Sequence, residues 1–247
     1  MDSSKGKAME ESPKTVRASA KSERLNRARR QHSDRMQQFA EYLEGKKRGE
    51  TAAEAIVIAG VERSMEPRKK LFSEIPSIEG ERIVIDRVVD ADADALRDLI
   101  DNPHAQRYLP TYLFEKQCDD VHEVIRMLYE DLFSNKESLI LAIRIKETGE
   151  LAGLAEFYGL RDSLHKVSVG CRLRERWWGN GIATEATRLM VDYLYGETDI
   201  EIITASTMVE NKGSAHVLEK ADFIRTARGV EEDWGFPEPT IVDKWFC

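Results

Sequence analysis

The feature that most constrains this chain is the stretch 167–194, where a strand pattern passes through a glycine turn into a helix pattern. Apolar and small residues alternate in VSVGCRL (167–173), as they do along a strand. After the turn, one apolar stripe at helical spacing is formed by Ala186, Leu189, Met190, Tyr193 and Leu194. Between the two patterns, Gly179 and Gly181 allow the backbone to bend sharply and to approach a ligand closely.

The helix is predicted to begin near Gly181, so that its free N–H groups and the positive end of its dipole face the turn. A strand, a glycine turn and a helix N-terminus form a geometry that binds pyrophosphate. Two familiar phosphate loops do not fit. No Gly-Lys-Ser/Thr sequence follows, and Thr184 stands where the G-x-G-x-x-G fingerprint needs its third glycine. A tight turn that binds nothing is the alternative.

The same turn resembles motif A of the GNAT acyl-CoA N-acetyltransferases, Arg/Gln-x-x-Gly-x-Gly/Ala, in which Arg176, Gly179 and Gly181 take the fixed places. The longer run WWGNGIATEA is similar to the subgroup that includes the ribosomal-protein N-terminal acetyltransferases. The resemblance implies an enzyme that moves the acetyl group of acetyl-CoA to a primary amine in a ternary complex.

A second segment, ENKGSAHVLEKADF (210–223), resembles motif B of the same family. The matching residues are Asn211, Ser214, Glu219, Lys220 and Phe223. Asp222 replaces the usual glycine. It is therefore expected to adopt a backbone conformation that glycine finds easy and that Asp tolerates better than most residues.

The order of predicted elements from about residue 81 onwards, β-α-α-β-β-β-α-β-α-β-β, is similar to that of the GNAT fold. The resemblance implies an α/β (α+β) fold whose mixed, mainly antiparallel sheet carries helices on both faces. It also implies that the fourth and fifth strands splay apart, so that the pantetheine arm of acetyl-CoA pairs with the fourth. The seven strands are predicted at about 82–88, 138–145, 151–159, 166–173, 200–207, 223–228 and 240–246.

By the same resemblance, backbone amides of the turn cradle the pyrophosphate, Arg176 adds charge, and Asn211 binds the pantetheine arm. Ser214 would support the leaving thiolate, although capping of a helix is a frequent role for serine. Trp177 and Trp178 either wall the site or pack in the core. The predicted acetyl-CoA contacts are Cys171, Leu173, Arg176, Trp178, Gly179, Asn180, Gly181, Ile182, Ala183, Asn211 and Ser214.

The acceptor amine must lose a proton before it attacks, and a carboxylate is the usual base. Glu156 lies on a predicted strand beside the splay. Asp233 lies at about the spacing after Ser214 where the ribosomal-protein acetyltransferases carry a carboxylate. We prefer Glu156, although either side chain could be a solvated charge. No metal and no covalent intermediate are expected, and Cys171 is not a proposed nucleophile because no histidine is placed to activate it.

Composition indicates the charge of the acceptor and the cellular compartment. The net charge of −8 is uneven: residues 1–70 carry 17 Lys and Arg against 11 Asp and Glu, and the remainder 20 against 34. The acidic remainder favours a basic acceptor, such as a small amine or a protein N-terminus. Three cysteines without a C-x-x-C pair are typical of a reducing cytoplasm. No apolar run is long enough for a membrane helix.

The N-terminal part differs in character from the rest. Its phrase FAEYLEG…TAAEAIVIAGV loosely resembles the helix-turn-helix modules of phage terminases, with Arg68–Lys70 in a basic third helix. An arm that packs on its own domain or joins a homodimer is the preferred interpretation. The alternative function, which rests on the helix-turn-helix resemblance, is that of a DNA-associated regulator that senses CoA. The predicted units are a mobile tail (1–20), a helical extension (21–72), a linker (73–80) and the acetyltransferase domain (81–247).

Overall fold

The computed structural model describes residues 68–247 with the exception of 112 and 117. The predicted tail, nearly all of the predicted helical extension, and the hypotheses of DNA binding and of a dimer through that extension lie outside the described residues. The described end of the extension, Arg68–Phe72, is not helical. There Lys69 forms a parallel bridge with Thr198, and Leu71 is buried in the core. These long-range contacts override the helical pattern of the local sequence.

One sheet runs through the described residues. Its strands are β1 (Ile78–Glu79), β2 (Ile83–Asp86), β3 (Ser138–Ile145), β4 (Leu151–Arg161), β5 (Lys166–Leu173), β6 (Ile202–Met208), β7 (Ile224–Glu232) and β8 (Thr240–Phe246). The strand order is β1-β2-β3-β4-β5-β6-β8-β7. Neighbours are antiparallel apart from β5 and β6, which are parallel. The predicted mixed, mainly antiparallel sheet is confirmed.

Helices cover both faces of this sheet. They are α1 (Ala93–Asp101), α2 (Pro103–Gln106), α3 (Val121–Met127, continued by a π-helical turn over Leu128–Phe133), α4 (Ile182–Glu197) and α5 (Lys212–Lys220). Side chains of a strand alternate between the faces. Leu139 and Leu141 of β3 accordingly belong to the core under α4, whereas Ile140 and Ala142 belong to the core under α1 and α3. No helix in the described part of the chain has the length and apolar character needed to cross a membrane.

Two local features, a short edge strand and a left-handed residue, bear on what the sequence predicted. Ile78–Glu79 pairs with β2 although the sequence predicted a linker there, because an edge strand this short leaves no pattern in the sequence. Asp222, which replaces the motif-B glycine, has a φ of 64°, in the left-handed region. The predicted glycine-like conformation at that position is confirmed, and it turns the end of α5 into β7.

The pairing between β5 and β6 is short. Lys166, Val167 and Ser168 pair with Ile202, Ile203 and Thr204, and the Ser168 and Thr204 hydroxyls are 2.9 Å apart. Beyond this point the two strands continue without pairing to each other. The predicted splay is thus present, and it opens towards the end of β5 from which the glycine turn departs.

Candidate active site

The glycine turn joins β5 to α4 at the mouth of the β5–β6 gap. Gly179 and Gly181 have φ values of 74° and 76°, which L side chains rarely adopt. Nothing lies within 4 Å of the position that a Cβ of Gly179 would occupy. The turn is exposed, so the space around Gly179 is open to a ligand.

The main-chain amides of the turn are available for binding. Within the described residues, the amides from Gly179 to Ala183 donate to no protein acceptor. Gly181 is the N-cap of α4 and has no side chain that could accept from the first helical amides. Amides at a helix N-terminus carry the positive end of the helix dipole. The predicted pyrophosphate cradle therefore has the geometry that an anion requires.

Arg82, immediately before β2, fixes the turn from outside. Its Nη1 donates to the carbonyl of Asn180 at 2.9 Å. Its main-chain amide and its Nε donate to the carboxylate of Glu185, at 2.8 and 2.7 Å. The amide of Glu185 in turn donates to the carbonyl of Gly181 at 3.0 Å. Arg82 was not predicted from the sequence, since nothing in the local pattern links it to a turn so far along the chain.

The end of β5 presents an unpaired edge to the gap. The carbonyl of Leu173 accepts from the indole Nε1 of Trp178 at 2.9 Å, so it points away from β4. Main-chain groups alternate in direction along a strand, so those of Cys171 point into the gap as well. The Cys171 thiol lies 3.8 Å from the Thr187 hydroxyl, and burial raises its pKa. A thiol of raised pKa is a poor nucleophile.

The other aromatic and basic residues of the turn have protein partners. Arg176 forms an ion pair with Glu150, which also pairs with Arg174 at 2.6 Å, and the Arg176 side chain is 53% exposed. A bound anion would compete with Glu150 for Arg176. Trp178 is 45% exposed beside the turn, and Trp177 packs against the core under α4.

Asn211 and Ser214 of motif B lie at the start of α5, shortly after β6. The Asn211 side chain caps this helix, because its Oδ1 accepts from the amide of Ser214 at 3.1 Å. The capping role considered for Ser214 thus belongs to Asn211. The Ser214 hydroxyl, only half-buried, makes no hydrogen bond with any described residue.

Glu156 lies on the face of the sheet that α1 and α3 cover. Its carboxylate accepts from the Ser138 hydroxyl at 3.3 Å. Burial raises the pKa of Glu156, the charge of Arg172 opposes that shift, and Glu115 adds to it. Arg172 and Glu115 are themselves 2.5 Å apart and buried. A half-buried carboxylate among one cation and one further anion is a group whose proton affinity is set by its neighbours.

Asp233, the second predicted base, lies in the loop between β7 and β8. Its side chain is exposed, and its Oδ1 accepts from the amide of Gly235 at 2.8 Å, which holds a local turn. The same loop reaches the segment between α2 and α3, where the amide of Thr111 donates to the carbonyl of Trp234 at 2.9 Å. The structure thus gives Asp233 a turn contact, whereas Glu156 lies within a polar cluster.

Sequence reasoning also missed Glu115 and Arg172. Arg172 and Glu156 were visible as opposite charges in adjacent strands otherwise rich in apolar and small residues, and such charges tend to pair across strands. Glu115 gave no signal, because it lies in a short 3-10 helical turn, Phe114–Lys116, whose sequence contains no recognisable motif.

Comparison with known proteins decides the family. A sequence profile of the acetyltransferase (GNAT) domain matches residues 82–224, more than half of the chain. The chain belongs to the GNAT acetyltransferase family. The match contains the glycine turn as well as Asn211 and Ser214, so the resemblance seen in motifs A and B is confirmed. This protein is accordingly a GNAT N-acetyltransferase.

Individual relatives agree with this assignment. The GNAT N-acetyltransferase is 25% identical over 170 residues to YoaA of Bacillus subtilis, an uncharacterized N-acetyltransferase; the match covers 68% of this chain and 93% of YoaA. The solved complex of coenzyme A with RimL, an acetyltransferase of ribosomal protein L7/L12, has a TM-score of 0.60 at 16% identity, covering 70% of this chain and 97% of RimL. Spermidine N-acetyltransferase from Vibrio cholerae, solved with CoA and spermine, has a TM-score of 0.56 at 17% identity, covering 67% and 95%. Both solved structures share the fold.

Proposed function

We propose that this GNAT N-acetyltransferase binds acetyl-CoA along the glycine turn and the β5–β6 gap, and transfers the acetyl group directly to a primary amine. The observation that carries the proposal is the row of unpaired amides from Gly179 to Ala183 at the N-terminus of α4, a helix of 16 residues. Amides in this arrangement favour a diphosphate. The edge of β5 that faces the gap offers the main-chain groups of Cys171 and the amide of Leu173 to the pantetheine arm, while the carbonyl of Leu173 already accepts from Trp178.

In this proposal Glu156 is the general base. The nitrogen of the amine attacks the thioester carbonyl, the new C–N bond forms, and the amine proton passes to the Glu156 carboxylate, directly or through water. The raised pKa of Glu156 makes it a stronger base than an exposed carboxylate. Asp233 is the alternative base, which its exposed position and its turn contact favour less.

The leaving group departs as the thiolate of coenzyme A when the C–S bond breaks. We assign its support to Ser214, whose hydroxyl has no partner among the described residues and is free to donate to the sulfur. Asn211 uses Oδ1 to cap α5 and keeps its Nδ2 for the pantetheine arm. The helix cap thus positions both side chains at the start of α5.

The acceptor class is a primary amine, either a protein N-terminus or a small amine. RimL acts on a protein N-terminus and the Vibrio cholerae enzyme on spermidine, so one fold serves both kinds. The excess of acidic residues after position 70, 34 Asp and Glu against 20 Lys and Arg, favours a cationic acceptor.

The test uses the full-length protein, acetyl-CoA and two amines, spermidine and a short peptide with a free N-terminal serine. Acetyl transfer to either amine releases the thiol of coenzyme A, which a thiol reagent measures. The same peptide with an acetylated N-terminus is the matched control and should release none. Absence of any heat of acetyl-CoA binding in calorimetry would contradict the proposal.

A further inference from the structure

Beneath the segment that joins α2 to α3 lies a buried ion pair for which the reaction described above has no use. Glu115 is 3% exposed, and the Arg172 side chain is 10% exposed. Glu115 Oε1 and Arg172 Nη1 are 2.5 Å apart. Burying two charges costs free energy that their attraction does not always recover, so the pair is a weak source of stability.

The geometry of the pair is incomplete. Among the described residues, neither carboxylate oxygen of Glu115 nor Nη1 of Arg172 has a hydrogen-bond partner of good geometry, although all three atoms are buried. The two groups therefore interact mainly through charge. Buried polar atoms without hydrogen bonds are rare in folded proteins, so this pair needs an explanation other than stability.

The pair lies beside Glu156. Arg172 of β5 pairs with Leu154 of β4, and Glu156 is two residues further along the same strand. Glu156 and Arg172 are therefore diagonal neighbours on one face of the sheet, within reach of long side chains. The groups that face Glu156 are Ser138 from β3, Arg172 from β5 and Glu115 from the α2–α3 segment. Lys116 interacts with the pair instead: burial lowers its pKa, the charge of Glu115 opposes that shift, and the charge of Arg172 adds to it.

Arg172 lies close to two carboxylates, those of Glu115 and Glu156. If its guanidinium engaged Glu156, it would stabilise the ionised carboxylate and weaken it as a base. Because the contact at 2.5 Å is with Glu115, part of the charge of Arg172 is already neutralised. Arg172 and Glu115 act on the pKa of Glu156 in opposite directions, in agreement with this geometry.

We propose that Glu115 is a positioning residue that acts through Arg172: it keeps the guanidinium engaged beneath the α2–α3 segment, so that Glu156 stays free to accept the proton of the acceptor amine. This inference rests on the proposed role of Glu156 as base. It further implies that the base is strong only when the α2–α3 segment, which carries Glu115, is seated on the sheet.

The direct test is the titration of Glu156 in the full-length protein without any amine. Carbon-13 NMR of glutamate-labelled protein follows the carboxyl carbons with pH, and the Glu156 signal is the one missing from Glu156→Gln. In Glu115→Gln, the midpoint of Glu156 should fall by about one pH unit, because Arg172 then has only one carboxylate to pair with. An unchanged or higher midpoint would overturn the inference.

Two further variants control the test. Glu130→Gln removes a carboxylate from the exposed side of the π-helical turn, 70% exposed and 3.6 Å from Arg126, and should leave the midpoint unchanged. Glu115→Asp keeps the charge and should preserve most of the wild-type midpoint. If it shifted the midpoint as far as Glu115→Gln does, packing rather than charge would be responsible and the inference would fail.

Kinetic measurements distinguish a failure of this inference from a failure of the proposed function. The assay uses whichever of the two amines, spermidine or the serine peptide, the wild-type protein acetylates. With that amine, Glu115→Gln should extend the acidic limb of the kcat/KM profile to lower pH. The plateau of kcat/KM should fall about threefold, as expected for a base whose pKa is about one unit lower. If Glu156→Gln retained wild-type activity, the assignment of the base would be wrong. If Glu156→Gln were inactive but Glu115→Gln had the wild-type profile, only the role of Glu115 would be lost.

Discussion

Arg82 and Glu185 are joined by two hydrogen bonds, from the main-chain amide and from Nε of Arg82 to the two carboxylate oxygens of Glu185. Glu185 lies in the first turn of α4, and the remaining arm of Arg82 reaches the carbonyl of Asn180. A residue at the start of the domain thus fixes both the helix N-terminus and the glycine turn. The proposed acetyl-CoA site is therefore preorganised by a long-range contact, which lowers the entropic cost of binding.

Removal of this contact should weaken the binding of acetyl-CoA. Arg82→Gln loses the donor to Asn180 and loosens the turn, and we expect an affinity about three- to tenfold lower, as for the loss of one or two hydrogen bonds. Calorimetry measures the effect. Arg126→Gln on α3, whose side chain is similarly exposed, is the matched control. Equal affinities in the two variants would show that Arg82 does not shape the turn.

Gly179 offers a sharper test because the chain contains its own control. Gly179 and Gly149 have φ values of 74° and 72°, and a Cβ on either meets nothing within 4 Å. Alanine should cost about 1 kcal/mol of unfolding free energy at each position, since both backbones are left-handed. Only Gly179→Ala places a methyl group against the diphosphate, so it alone should lose more than about tenfold in acetyl-CoA affinity. Equal affinities would exclude the turn as the binding site.

Glu156→Gln should lower activity without lowering stability at pH 8. Because the pKa of Glu156 is raised above 4.5, the folded state binds its proton more tightly than the unfolded state does. The contribution of Glu156 to stability is thus present at low pH and is lost as the pH rises through the raised pKa. The variant should therefore be at least as stable as wild type at pH 8, with no such advantage at pH 4.

The same variant should lose about a hundredfold in kcat. Chemical denaturation at the two pH values and the thiol assay give the two readings. Asp233→Asn is the control for the alternative base and should retain most of the activity. The reverse pattern, with a large loss only in Asp233→Asn, would transfer the role of base to Asp233.

Ser214 and Asn211 should respond differently to alanine. Asn211→Ala removes the helix cap and should lower the unfolding free energy by about 1 kcal/mol. Ser214→Ala removes a hydroxyl without a partner among the described residues, so stability should stay within about 0.5 kcal/mol of wild type. If the hydroxyl supports the thiolate, kcat falls by at least about tenfold in Ser214→Ala. Unchanged kcat would leave Ser214 without a catalytic role.

Substitutions of Asp222 test the left-handed backbone conformation at this position and do not concern the active site. Its φ of 64° is strained for a residue with a Cβ, so Asp222→Gly should raise the unfolding free energy by about 0.5 kcal/mol, and Asp222→Ala should lower it. Thermal unfolding of the three proteins gives the order. A less stable Asp222→Gly would mean that the aspartate side chain holds the turn by a contact of its own.

The sequence by itself determined most of the elements after residue 81 and the glycine turn. The strand 166–173, the turn with Gly179 and Gly181, and the left-handed Asp222 were all readable, because periodicity and glycine spacing are local properties of the chain. The family followed from the same short segments, since a phosphate cradle is made of main-chain amides that neighbouring residues supply.

Only the tertiary structure decided what surrounds these elements. It paired Arg82 with Glu185 and brought Glu115 and Arg172 to Glu156, from a loop and from a neighbouring strand. It also made Asn211, rather than Ser214, the cap of α5. The strength of the proposed base depends on burial and on charges distant in sequence. Those depend on how the chain folds back on itself, which local patterns do not encode.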